Sequence, residues 1–169
     1  SSVASTFSER MLCMRTMRLH DSRPAPNLGR PLALQRRAMP LVRIDIASSA
    51  SPQVVRAVSD VVYDAMTSVA NVPANDRFQV ITRHGRDELV YPSDGYLGVT
   101  YSPGIVFIQV TWNTGRSVEV KKAFYRAVAS GIADKAGIRI QDVWISLIDV
   151  AREDWSFGNG DMQYAPKAS

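Results

Sequence analysis

The chain has 169 residues, 46% apolar and 21% charged, with a formal net charge of +4, the size and balance of one globular domain with a substantial core. Residues 1–39 hold Arg10, Arg15, Arg18, Arg23, Arg30, Arg36 and Arg37 against Glu9 and Asp21, so the extension carries +5 and the remainder −1; a basic surface for nucleic acid is therefore not a property of the domain, and neither nucleic acid nor a membrane is expected as partner. Cys13 is the only cysteine, and His20 and His84 are the only histidines, which excludes an intrachain disulfide and a multi-cysteine or histidine-rich metal centre and disfavours a serine–histidine triad. No metal or organic cofactor is expected, and a reducing cytoplasmic setting is the default.

Residues 1–39 are rich in Ser, Arg and Pro and poor in acids, with no sustained apolar period. They read as a disordered or mis-translated N-terminal extension. The composition is similar to that of a transit peptide, although an upstream-translated leader explains it with fewer assumptions. Met39-Pro40 then stands directly before the alternating run Leu41 to Ile46. An internal proline has an amide nitrogen with no hydrogen and no basic lone pair, whereas an amino-terminal proline is a secondary amine that exchanges a proton near neutrality. Removal of the extension and Met39 thus separates a reactive group from a proline that merely opens a strand.

Residues 40–169 are organised by an internal repeat at an offset of 66 residues, which pairs Ser51 with Ser117, Val54 with Val120, Ala57 with Ala123, Val62 with Val128, Ala70 with Ala136 and Asp76 with Asp142. The first copy spans 40–84 and the second 105–150, joined by a connector over 85–104 and followed by a tail over 151–169. Strands are predicted over 41–46, 77–82, 105–111 and 143–150. Ser51 and Ser117 are predicted to cap helices that end near Asn71 and Gly137. Each copy is then strand, helix, strand with a right-handed parallel connection. Two fused β-α-β repeats give an α/β (α+β) domain, a four-stranded sheet with both helices on one face. The apolar stripes are Val54, Ala57, Val58, Val61, Ala65 and Met66 on the first helix and Val120, Phe124, Ala127, Val128 and Ile132 on the second. Nothing remains to cover the other sheet face, which points to self-association. Pro92, Asp94-Gly95 and Pro103-Gly104 make the connector a series of turns with a short hairpin. The aromatic, glycine-rich run Trp155 to Gly160 is expected to dock on a neighbour.

Several stretches resemble the tautomerase superfamily, and most closely its malonate semialdehyde decarboxylase group: Met39-Pro40-Leu41, Val72 to Gln79, His84 with Glu88-Leu89, Gly115-Arg116-Ser117 before Lys121 and Ala123-Phe124-Tyr125, and Trp155 to Gly158. The resemblance covers Pro40 to about Tyr164. It implies a homotrimer that acts on small oxo acids, with Pro40 as the catalytic amine, Asp76 as the carboxylate near it and Arg116 as the cation that grips a substrate carboxylate. The planar guanidinium suits that grip. The group's decarboxylases carry two arginines separated by one proline, whereas this chain has Thr114-Gly115-Arg116 and lacks the first; Arg77, Arg83 and Arg86 are candidates to stand in. His84, Trp112 and Phe157 are secondary candidates for substrate binding, and the two aromatics also suit a core or an interface. Asp76 recurs as Asp142, so one of that pair is structural, while Arg116 corresponds to Ala50 and is not required by the fold. Lys121, Lys122 and Arg126 read as a hydrated helix face. Keto–enol tautomerisation and malonate-semialdehyde-type decarboxylation are the two reactions implied. The alternative, if Pro40 remains an internal amide, is a non-catalytic trimeric binding or assembly protein.

Overall fold

The structure, a computed structural model, describes residues 39–164; the expectations for residues 1–38, and for 165–169 at the end of the tail, lie outside the described residues. Two strand–helix–strand units follow one another. The first is β1 (Leu41–Ala47), α1 (Pro52–Ser68) and β2 (Phe78–His84), the second β3 (Val106–Asn113), α2 (Val118–Ala136) and β4 (Val143–Val150). Strand order is β2-β1-β3-β4. β1 pairs with β2 and β3 with β4 in parallel, as the helical crossovers require, and the two units join through an antiparallel β1–β3 ladder, which the sequence did not specify.

The repeat is visible in the register itself. Leu41 lies opposite Phe78 and Phe107 opposite Trp144, a displacement of 66 residues in both strands. Ser51 Oγ accepts from Val54 N and Ser117 Oγ from Val120 N, each at 3.3 Å, so both helices start on the serines that were expected to cap them. Past the helix ends, Asn71 (φ 54°) and Gly137 (φ 68°) both take the left-handed conformation that turns the chain back to the sheet.

Alternation along the strands divides the two sheet faces. Val42, Ile44 and Ile46 of β1 and Val106, Ile108, Val110 and Trp112 of β3 are buried beneath the helices, in one core with Val58, Val62, Met66, Phe124, Val128 and Ile132. Val62 lies outside the expected stripe and is nonetheless fully buried, because α1 packs on the sheet and on α2 at once. The opposite face carries Phe78, Val80, Trp144 and Ile148, all exposed, with Trp144 against Phe107 at 5.3 Å between ring centroids. No described element covers it. Among the described residues no helix is long and apolar enough to cross a membrane.

Two connecting segments are tied down by side chains. Asp142 is buried and accepts from the backbone N–H and the hydroxyl of Ser102, both at 2.7 Å, which fastens the connector to the start of β4. Of the expected hairpin only the Tyr96–Val99 bridge forms. Part of the tail is tied to its own chain: Trp155 Nε1 donates to Asn113 Oδ1 at 2.8 Å, and Phe157 stacks on Trp155 at 5.6 Å.

The helix crossing is also built from repeat-related positions. A Cβ on Gly131 would stand 2.8 Å from Val61 Cγ1, and the symmetry-related pair is Ala65 with Ala127. Val61 is held in the core, so Gly131→Ala is expected to destabilise the fold by about 1 kcal/mol or more in spite of its better helix propensity. Adding Val61→Ala recreates the alanine pair and should return much of the loss. A melting temperature unchanged in the single variant would contradict this packing.

Candidate active site

The antiparallel β1–β3 join decides what lies together. It sets the start of β1 beside the end of β3, and the parallel ladders add the start of β2 and the end of β4. Pro40, directly before β1, and Asp76, two residues before β2, therefore stand at the same end of adjacent strands. Trp112, Asn113 and Arg116 come to that end from β3 and the turn that follows it. Pro40 is buried, and Asp76 has one carboxylate oxygen shut off from solvent.

Arg116 is fixed by backbone and ring. Its Nη1 donates to Asn113 O at 2.9 Å, its Nε to Ala70 O at 3.3 Å, and its guanidinium lies 4.2 Å from the centroid of the Trp112 ring. Among the described residues, two of a guanidinium's roughly five N–H donors are used in this way. Burial pulls the Arg116 pKa down while Asp149 pushes it back up, and arginine stays cationic at neutral pH. The residue borders a cleft of about 650 Å3, together with Thr114, Gly115, Asn113, Arg152 and Glu153.

A related cleft of about 470 Å3 opens at the opposite end of the sheet, where Ser48, Ser49, Arg86 and Asp87 occupy the places of Thr114, Gly115, Arg152 and Glu153. The two ends differ at the positions that matter for chemistry. Pro40 is replaced by Val106 inside β3, Arg116 by Ala50, and Asp76 by the structural Asp142. Repetition accounts for the shape of the cleft and not for Arg116 on it or for Pro40 at the same end of the sheet.

The secondary candidates separate. His84 closes β2 at the far end of the sheet, about 20 Å from Pro40 along a seven-residue strand. It is hydrogen-bonded there by Nε2 to Asp45 Oδ1 at 2.8 Å, so within one chain it does not belong to the Pro40 site. Trp112 is fully buried on the helix side of the sheet and does not meet a ligand; its ring carries Arg116 instead. Phe157 is 38% exposed and reaches the right end of the sheet through Trp155 and Asn113. None of the three arginines considered for the missing cation lies beside Arg116. Arg77 is paired with Asp60 at 2.6 Å, Arg83 donates to the carbonyls of Ser48 and Ala50, and Arg86 lines the opposite cleft. The second cation on the Arg116 cleft is Arg152, and the repeat that relates it to Arg86 was the signal that could have marked it.

Lys121 was expected on a hydrated helix face. It is instead turned back to Asp149 Oδ2 at 2.5 Å, while Asp149 Oδ1 accepts from Trp112 Nε1 at 2.7 Å. Among the described residues no group of His, Cys, Asp and Glu side chains could hold a metal ion.

This arrangement sits within a family. Residues 76–158 match the family described as tautomerase enzyme. A probable tautomerase of Bacillus subtilis (strain 168), YusQ, is 38% identical over 125 residues, which make up 74% of this chain and 98% of that protein. Among solved structures, the FG41 malonate semialdehyde decarboxylase inhibited by 3-bromopropiolate is 39% identical over 73% of this chain and 93% of its own, with a TM-score of 0.67. A second malonate semialdehyde decarboxylase, for which decarboxylase and hydratase activities are described, is 31% identical over 72% and 93%, with a TM-score of 0.65. The chain belongs to the tautomerase superfamily and is an enzyme of that class.

The Asp149 carboxyl offers a check on the site's electrostatics. Burial pushes its pKa up, but hydrogen bonds from Lys121 and Trp112 and the charges of Lys121 and Arg116 outweigh burial and hold it below the usual carboxylate value. A carboxyl lowered by folding contributes stability that is complete above its unfolded pKa of about 3.9 and is lost as pH falls through the folded value. Asp149→Asn is therefore expected to lower the melting temperature at neutral pH and to converge on the parent protein once pH has fallen through the folded value. Equal destabilisation at both pH values would contradict the depressed carboxyl.

Proposed function

We propose that Pro40, released as the amino-terminal residue by loss of the extension and Met39, is the acid–base group of a cofactor-independent decarboxylase of small 3-oxo acids. The observation that carries this reading is the asymmetry between repeat-related positions at the two ends of the sheet, since Pro40 corresponds to the strand-interior Val106 and Arg116 to Ala50. The similarity to two malonate semialdehyde decarboxylases supports the reaction class.

The division of labour follows from charge. A free α-amino group titrates near pH 7.7 to 8.0, and a carboxylate beside it favours the protonated form. With Asp76 at its strand end, the prolyl nitrogen is the cation that hydrogen-bonds the 3-oxo oxygen. Arg116 holds the carboxylate, with Arg152 as a second positive charge on the same cleft. The C–C bond to that carboxylate then breaks, carbon dioxide leaves, and the electron pair moves towards the oxygen that the amine stabilises. The resulting enol takes a proton at carbon to give the aldehyde or ketone. Phe157 and Trp155 supply an apolar wall. The same amine, deprotonated, would act as the base of a keto–enol tautomerase, a reading favoured by the relationship to YusQ.

The working form is a homotrimer, in which the uncovered sheet faces with Phe78, Val80, Trp144 and Ile148 pack against neighbouring copies. Intact-mass measurement on the protein purified from its own cells is expected to find Pro40 at the amino terminus. Turnover by a chain whose Pro40 is still an amide would overturn the mechanism and favour the binding or assembly reading. Carbon dioxide release from a 3-oxo acid, measured beside ketonisation of phenylenolpyruvate or a 2-hydroxy-2,4-dienoate, tells decarboxylase from tautomerase. Arg116→Ala should lower kcat/KM by about 100-fold or more for the true substrate. Asp76→Asn should shift the basic limb of the pH–rate profile to lower pH, because the cation loses its carboxylate.

A further inference from the structure

Arg116 cannot grip a carboxylate in a defined orientation unless its own plane is held, and the contacts that hold it extend beyond the cleft. One side of the guanidinium is set by the carbonyls of Ala70 and Asn113, and one face rests on the Trp112 indole at 4.2 Å from the ring centroid. That ring is fixed in turn. Phe124 meets it edge-on at 5.3 Å, and Asp149 Oδ1 accepts its Nε1 hydrogen at 2.7 Å. Lys121 Nζ, 2.5 Å from Asp149 Oδ2, holds the carboxylate from the side of α2 and offsets its charge, so that Asp149 does not cancel Arg116.

The first repeat serves as an internal control. At the positions of Trp112, Arg116, Lys121 and Asp149 it carries Ile46, Ala50, Val55 and Arg83, and Arg83 reaches back to the carbonyls of Ser48 and Ala50 at the strand–helix turn. The same fold is therefore built without any of the four residues. A purely structural origin for the chain Lys121–Asp149–Trp112–Arg116 would have left some trace of it in the other copy.

We propose that Lys121 and Asp149 are positioning residues for carboxylate binding, acting on Arg116 through the Trp112 indole. This rests on the assignment of Arg116 as the carboxylate grip. Loss of the Lys121 contact lets Asp149 swing, the indole loses its fixed acceptor, and the guanidinium loses the surface that sets its plane. The effect belongs to ligand binding, and it appears in KM ahead of kcat wherever substrate binding and release are faster than chemistry.

The test uses the full chain and malonate as the carboxylate probe, with affinity measured by calorimetry and the Trp112 Nε1–H followed by 15N–1H spectroscopy, its signal assigned with Trp112→Phe. In the parent chain malonate is expected to shift the Trp112 indole signal, although the buried ring does not touch the ligand. Lys121→Met and Asp149→Leu should each weaken malonate about tenfold or more, Lys121→Arg should restore most of the affinity, and melting curves identify any variant that fails to fold. If Lys121→Met folds and binds malonate as the parent does, while Arg116→Ala has lost it, the positioning role is wrong and the grip stands. If Arg116→Ala itself binds malonate normally, the grip is wrong and the positioning proposal falls with it.

Discussion

The antiparallel ladder between β1 and β3 is the constraint on which the rest of the molecule depends. Each strand–helix–strand unit has an amino end and a carboxyl end, and a parallel join would have put like ends together. Pairing Leu41 with Thr111 and Ile46 with Val106 turns the second unit around. Each end of the sheet then combines the strand starts of one copy with the strand ends and the helix-entry turn of the other. Pro40, at a strand start, is thereby brought to the same end of the sheet as Arg116, which follows a strand end. Neither copy could assemble that pair by itself.

The same arrangement creates two clefts from one design, and the chain has kept the scaffold of both while changing the chemistry of each. Asp142 shows what the repeat-related position does inside the chain: it accepts from Ser102 and clips the incoming connector to β4. Asp76 occupies the corresponding place at the entry to β1. An aspartate that fastens whatever chain segment enters the sheet is already correctly placed to meet an ammonium if the chain begins there. Structural and catalytic roles therefore need no different geometry, only a different partner.

Much of this was legible in the sequence. The serine caps, the helix ends at Asn71 and Gly137, the alternation in β1 and β3 and the repeat all have local signatures, and Pro40, Asp76 and Arg116, singled out by the resemblance, come to one end of the sheet. What was not legible depends on register. Lys121 and Asp149 are 28 residues apart and Trp112 and Asp149 are 37 apart, so nothing local distinguishes Lys121 from its hydrated neighbours Lys122 and Arg126. Trp112 read equally as a substrate contact or as a core or interface residue, and strand alternation turns its ring into the core. His84 likewise has a place within one chain that depends on register. It follows a strand that begins at the site, and a strand of that length carries its last residue to the opposite end of the sheet.

The network around Arg116 shows why a partly buried cation can be both costly and useful. Desolvation lowers the arginine's pKa, and a bare aspartate nearby would compensate for it at the expense of the substrate's own negative charge. Here the carboxylate is committed to Lys121 and Trp112, so its field on Arg116 is moderated while its geometry is retained. The guanidinium is left with a polarisable ring on one face, backbone carbonyls on one edge and hydrogens available towards the cleft. An arginine held in this way is already ordered, so on the proposed reading less of the binding energy of a small carboxylate has to be used in ordering it. For a ligand of so few atoms, that saving in reorganisation outweighs what one more surface charge could contribute.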